Sequence, residues 1–394
     1  MLSELPLPAL SPDETAHAAR VAAHIGAEIA AAGGWLPFSR FMQLALYAPG
    51  LGYYSAGARK FGASGDFVTA PELTPVFARC LAGQVAEVLE RTGGGDVIEV
   101  GAGSGAMAAE LLEALAARDA LPERYLILEV SADLRERQQS ALAQRDPALL
   151  SRVAWLESPP SQPWRGALLA NEVADALPVE RFRLGARGIE AVGVVCSDGG
   201  FAFEARPAGD QLAAEVERRL AGLPEALPRG YESEASLLLR PWIGALSNGM
   251  QQGAMLLVDY GLARMHYYHP SRAGGSLCGF FRHRRVGDVL AHPGLQDITA
   301  WVDFTEAAEA GAEVGLALGG FSTQAHFLLA AGLDRELAVA GERLDAVGRA
   351  QLAQAASTLV LPGEMGERFK VIALTRGIDE PLSGFAFRDL AATL

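Results

Sequence analysis

Residues 96–105, Asp-Val-Ile-Glu-Val-Gly-Ala-Gly-Ser-Gly, restrict the fold of this 394-residue chain more than any other stretch. A short apolar strand over 97–100 runs into a glycine turn, and a helix begins near Ala106 with Met107, Leu111, Leu112 and Leu115 on one face. Such a strand–turn–helix lets backbone approach a ligand closely, because glycine has no Cβ in the way, and it aims free helix N–H groups at whatever sits there. About 20 residues further on, a second apolar strand over 125–128 ends in Glu129, placed to accept hydrogen bonds from ribose hydroxyls. The pair predicts an α/β chain that binds a nucleoside cofactor.

Which cofactor is not decided by the glycines alone. Gly101-x-Gly103-x-x-Ala106 can be fitted to the dinucleotide fingerprint, which tolerates alanine at its last position. Two features weigh toward S-adenosyl-L-methionine (SAM) over a nicotinamide dinucleotide. Glu99 lies two residues before the first glycine, where a carboxylate suits an ammonium and a sulfonium but repels a pyrophosphate. Gly105 adds a third glycine at the tighter spacing of motif I in class I SAM methyltransferases.

Composition narrows the partners. The formal charge of −14 argues against general nucleic-acid binding, which needs clustered cations. Arg282-His283-Arg284-Arg285 is the one compact basic run, and His283, in a Gly-rich loop, is expected to be a substrate-pocket residue. Cys80, Cys196 and Cys278 form neither a disulfide framework nor a zinc spacing, which fits a reducing cytoplasm. His266-x-x-His269 lacks the helical context of a metal site, and no metal is expected. No apolar run is long enough for a membrane span, and residues 1–10 lack a signal or transit pattern, so a cytoplasmic protein without membrane insertion is expected.

Taken in order, helices are expected over 13–33, 38–46 and 75–91. Between the last two, 60–72 is dense in glycine, aromatics and carboxylates, and reads either as a packed loop or as a lid in which Asp66 and Phe67 close over the cofactor and Glu72 lines it. Ser131 opens a helix to about residue 144. A third strand covers 153–156, with Trp155 or Leu156 available to flank an adenine ring. The wholly apolar run 167–170 reads as a central parallel strand ending in Asn171-Glu172-Val173-Ala174-Asp175. Polar groups there lie at the ligand edge of an open α/β sheet. Short antiparallel strands follow over 181–206, then helices near 211–221 and 232–246. A fifth core strand, 255–258, ends in Asp259-Tyr260, and 261–299 reads as a long irregular loop carrying substrate contacts. The expected organisation is an N-terminal helical cover and lid (1–92), the first part of a Rossmann-like core (93–180), an inserted β/helical substrate region (181–250), and the rest of the core with C-terminal helices (251–394).

In this order the pieces resemble the MidA-like SAM-dependent methyltransferases, a family that includes the mitochondrial arginine methyltransferase assisting respiratory complex I assembly. The marks are Tyr47 to Tyr54, Gly65 to Glu72, Glu99 to Gly105, Asn171-Glu172 through Pro178, Val258 to Gly261, Pro293 to Thr299 with Val302-Asp303-Phe304, and Met365 to Val371. The resemblance implies a class I fold, a seven-stranded and mostly parallel sheet with helices on both faces, and SAM as cofactor with S-adenosyl-L-homocysteine as product. It also implies a protein substrate, with a complex I subunit as candidate, and leaves a homodimer open. Leu277 to Phe281 departs from the more polar run expected there.

For a guanidinium acceptor, a carboxylate must fix the cation, aim one nitrogen and take up a proton. Glu172 is the expected catalytic residue, with Asp175 as its second. Glu99, Gly101, Gly103, Gly105, Glu129, Leu156 and Asn171 are expected on the cofactor, and Asp259, Tyr260 and His283 on the substrate. Three readings compete: a small-molecule or RNA methyltransferase on the same fold, a nicotinamide dehydrogenase, and a SAM-binding assembly factor that transfers nothing.

Overall fold

The computed structural model describes residues 8–56 and 69–394. Seven strands build the sheet around the glycine turn: β1 (Asp96–Val100), β2 (Tyr125–Leu128), β3 (Val153–Leu156), β4 (Trp164–Asn171), β5 (Met250–Leu262), β6 (Ala317–Thr323) and β7 (Phe369–Arg376). Their order is β3-β2-β1-β4-β5-β7-β6. The pairs from β3 to β5 are parallel, and β7 runs antiparallel between β5 and β6. A short eighth strand, Val302–Asp303, pairs with the end of β5. The chain reverses direction across the sheet between β1 and β4, and such a switch point opens a crevice at the carboxyl ends of the strands.

The parallel strands are apolar because both faces are covered. Val97, Tyr125, Ile127, Ala167, Leu169, Leu256 and Val371 lie in one buried cluster with Phe77, Leu81 and Val85 of helix Pro75–Arg91 and with Leu111, Leu112 and Leu115 of helix Ala106–Ala116. Each large apolar side chain buried there contributes on the order of 2 kcal/mol. The predicted class, α/β with a mostly parallel seven-stranded sheet, is the fold observed.

The chain divides into two compact units. This sheet and its helices belong to the unit made from Val68–Ala174, Arg240–Leu262 and Val302–Leu394; the other unit takes Met1–Phe67, Asp175–Leu239 and Ala263–Trp301. In the latter, helix Pro12–Ala31 starts at a capping box between Ser11 and Glu14, and Val21, Ile25 and Ile29 pack with Phe38 and Phe41 of helix Phe38–Tyr47. Strands Glu180–Gly185, Gly188–Ser197, Gly200–Pro207 and Glu232–Ala235 form an antiparallel sheet.

Two sequence expectations change. The helix expected over 232–246 is a strand, Glu232–Ala235, followed by a shorter helix, Leu239–Ser247; pairing of Glu232 with Arg183 and of Ser233 with Phe182 overrides local propensity. The irregular 261–299 stretch contains a three-stranded sheet of Arg284–Val286, Cys278–Phe281 and Asp297–Thr299. Strands of three or four residues are too short to show a period.

Candidate active site

The glycine turn follows β1 with three left-handed residues, Gly101 (φ +67°), Gly103 (φ +53°) and Gly105 (φ +84°). A Cβ on Gly101 would lie 3.0 Å from Val173 Cγ2, so the turn is packed directly against the segment that follows β4. Ser104 donates its hydroxyl to the Glu72 carboxylate and accepts from the Ala106 N–H at 3.3 Å. Glu72, in the one-turn helix Ala70–Leu73, is thereby tied to the turn. Asp66 and Phe67 lie outside the described residues.

Glu129 follows β2 and is 7% exposed. Its Oε1 accepts from the Ser131 N–H at 2.9 Å and its Oε2 from Gln138 Nε2 at 3.2 Å. Each carboxylate oxygen has two lone pairs, so both keep capacity for ribose hydroxyls. Burial pushes the carboxyl up, and the hydrogen bonds from Ser131 and Gln138 pull against it. Leu156, the last residue of β3, accepts the Glu129 N–H at 3.1 Å. Glu99 is 1% exposed, and its Oε2 takes the Tyr125 hydroxyl at 2.5 Å. Burial raises it to about 7, against the Tyr125 hydrogen bond and with the Glu129 charge adding to the rise.

At the end of β4, Glu172 has φ +54°, a left-handed conformation that a residue with a Cβ rarely adopts. Its N–H continues the ladder to the Val258 carbonyl at 2.9 Å. Its Oε1 accepts from the Ala70 N–H at 3.3 Å and from Asn171 Nδ2 at 3.2 Å. The Asn171 Oδ1 is buried with no hydrogen-bond partner among the described residues. Strain beside an orphaned acceptor, at the carboxyl edge of a parallel sheet, is the pattern of a functional site. Asp259, 1% exposed, holds the same segment: its Oδ2 accepts from the Ala174 N–H at 3.0 Å and its Oδ1 from the Tyr260 N–H at 2.9 Å. The Tyr260 ring packs edge-on against Phe369 at 5.2 Å.

The two remaining predicted residues lie in the other unit. Asp175 is 5% exposed, and its carbonyl accepts the Ala300 N–H at 3.0 Å. His283 stands at the exposed tip of the hairpin between Phe281 and Arg284, with φ +60°.

Sequence reasoning missed two residues at the sheet edge. Gln138 is fully buried on the helix after Glu129, and its signal was a polar residue inside the Leu134–Leu142 apolar stripe. Lys370, cross-strand from Asp259, is a buried charge in a mostly apolar strand. Its Nζ donates to the Glu367 and Arg368 carbonyls, and burial lowers it to about 8. Among the described residues no group of three or more His, Cys, Asp or Glu could hold a metal ion, and no helix is long and apolar enough to cross a membrane.

A glycine cradle after β1 and a buried carboxylate after β2, at the carboxyl edge of a mostly parallel sheet, fit the fold and donor set of a class I SAM-dependent methyltransferase. The chain belongs to the S-adenosyl-L-methionine-dependent methyltransferase family, whose family model matches residues 80–322. It is similar over 99% of its length to a superfamily member from Burkholderia thailandensis solved with S-adenosyl-homocysteine bound, at 44% identity and a TM-score of 0.91; all of that chain is covered. It also resembles the protein arginine methyltransferase NDUFAF7 of mitochondria. The Danio rerio protein is 28% identical, covering 89% of this chain and 86% of its own. The human protein is 27% identical, covering 86% and 80%. The cofactor is therefore SAM, and the nicotinamide reading falls. These relatives are mitochondrial by name, which overturns the expectation of a cytoplasmic protein. Free cysteines separate reducing from oxidising compartments and do not choose among reducing ones.

Proposed function

We propose that the chain methylates a guanidinium nitrogen of an arginine side chain on a protein. The observation that carries this reading is the Asn171–Glu172 pair. A carboxylate held in a strained backbone and a buried amide oxygen with no donor among the described residues together make an acceptor-rich end for a planar cation with five N–H groups. The relatives named as protein arginine methyltransferases support the same acceptor.

The cofactor, when bound, supplies a methyl group on a sulfonium and leaves as S-adenosyl-L-homocysteine. Glu172 fixes the guanidinium through charge-assisted hydrogen bonds, aims one nitrogen, and takes up the proton released as that nitrogen is alkylated. Asn171 Oδ1 accepts a second N–H and sets the plane of the cation. Asp259 positions both residues by holding the Ala174 and Tyr260 N–H groups. Glu129 takes the ribose hydroxyls, Gly101 to Gly105 face the amino-acid end of the cofactor, and Leu156 flanks the adenine. Tyr260 meets the protein that carries the cation. On the resemblance seen in the sequence, that protein is a complex I subunit.

The test is a transfer assay with SAM carrying a heavy methyl, incubated with the purified protein and a lysate and read by mass spectrometry. Label on arginine of one or a few proteins, reduced about 10²-fold or more by Glu172→Gln with SAM affinity kept, is expected. Label on a lysine, a nucleic acid or a small molecule, or full transfer by Glu172→Gln, overturns the reading.

A further inference from the structure

We infer that Gln138 is a cofactor-positioning residue: its one side-chain amide locks the glycine turn, the ribose carboxylate and the end of β3 into a single rigid frame. The amide has two N–H donors and an acceptor oxygen, and the structure uses all of them. Nε2 donates to the Gly103 carbonyl at 3.0 Å and to Glu129 Oε2 at 3.2 Å, while Oε1 accepts the Trp155 indole N–H at 2.9 Å. Gln138 is 0% exposed, so each bond is made without competition from water.

Three consequences follow from this geometry. The Gly103 carbonyl is held toward Gln138, and in a planar trans peptide the Ser104 N–H then points the opposite way. Gln138 thus sets the direction of a backbone donor inside the cradle. Turn and helix are also in close contact, since a Cβ on Gly105 would come within 3.3 Å of Gln138 Cα. Finally, the amide's hydrogen bond pulls the Glu129 carboxyl down against the rise that burial causes. An acceptor-only carboxylate is the form that takes ribose hydroxyls. Trp155 fixes the amide's sense: indole is a donor only, so it must face Oε1, which sends both N–H groups to Gly103 and Glu129. No apolar or hydroxyl side chain could serve the three partners at once.

The inference rests on the reading that Glu129 holds the ribose, and the test separates the two. The affinity for S-adenosyl-L-homocysteine is measured by calorimetry from pH 5.5 to 8.5 for the wild type, Gln138→Met, Trp155→Phe, their double variant, and Glu129→Gln. Gln138→Met is expected to weaken binding about tenfold at pH 7.5, with a larger loss at low pH, because Glu129 loses a donor that favours its charged form. The other charges acting on that carboxyl, Glu99 on β1 and Arg135 on the helix of Gln138, are unchanged in every variant, as is Glu157, the ion partner of Arg135. A role confined to packing would lower stability without moving this pH profile. Trp155→Phe, which removes only the bond to Oε1, is expected to weaken binding by about threefold and to add nothing in the Gln138→Met background. If Gln138→Met does not fold, Trp155→Phe decides alone, and wild-type binding across the pH range overturns the inference. If Glu129→Gln weakens binding while Gln138→Met leaves affinity and pH profile unchanged, the inference fails and the ribose reading stands. If Glu129→Gln binds as the wild type does, both fail.

Discussion

Adding one methyl group at Gly101 tests the cofactor cradle quantitatively. At φ +67° the residue is left-handed, which costs an L-residue about 1–2 kcal/mol. The new Cβ would also sit 3.0 Å from Val173 Cγ2, so either the isopropyl group turns or the turn shifts. Together the dihedral and the contact amount to about 2 kcal/mol. Where that cost appears depends on the free protein. A turn that keeps its shape carries the cost as lost stability. A turn that relaxes must be restored on binding, and the cost becomes weaker affinity, tenfold for about 1.4 kcal/mol. The two losses are therefore expected to sum to about 2 kcal/mol for Gly101→Ala. Calorimetric titration with S-adenosyl-L-homocysteine and denaturant unfolding measure them. Combining it with Val173→Ala removes the contact but not the dihedral cost, and the loss relative to Val173→Ala alone should fall to about 1 kcal/mol. Wild-type stability together with wild-type affinity in Gly101→Ala would refute the reasoning.

Three further outcomes are expected. Glu99, raised to about 7 from an unfolded value near 4.5, binds more protons folded than unfolded between those pH values, so its contribution to stability falls as pH rises through that window. Glu99→Gln should flatten that fall, gaining up to about 3 kcal/mol relative to the wild type above pH 7, as measured by unfolding at pH 5 and pH 8. Gly275→Ala should cost more than about 2 kcal/mol, because φ is +74° and the new Cβ would meet the buried Glu234 Oε1 at 2.1 Å; a Glu234→Ala background should return part of the loss in the same unfolding assay. Arg240 meets the Glu306 carboxylate, which is 0% exposed, at 2.6 Å. Arg240→Met takes one guanidinium from a buried carboxylate and should lower stability, whereas Arg240→Met with Glu306→Leu should recover part of the loss in chemical denaturation.

The fold class and the cofactor class are legible in the sequence because their signals are local. An apolar strand, three glycines and a carboxylate two residues ahead of them lie within Asp96 to Gly105. The second carboxylate closes the next strand at Glu129, and Asn171-Glu172 end a wholly apolar one. Each pattern needs only the period of a strand and the conformational freedom of glycine. What local reasoning could not supply came from pairing partners far apart in the chain. Glu232 to Ala235 has helix-compatible residues, yet its register with Glu180 to Arg183 makes it a strand. The small sheet of 278–299 exists only because Cys278 to Phe281 meets strands on both sides. The cytoplasmic expectation failed on different grounds, since composition speaks to redox state and not to address. The site shows the same division. Residue types at the strand ends announce a nucleoside site, but the left-handed Glu172, the orphaned Asn171 oxygen and the three bonds of Gln138 are visible only in three dimensions. Sequence periodicity says which side of an element a residue occupies; strain and hydrogen-bond satisfaction depend on which atoms of other elements arrive beside it.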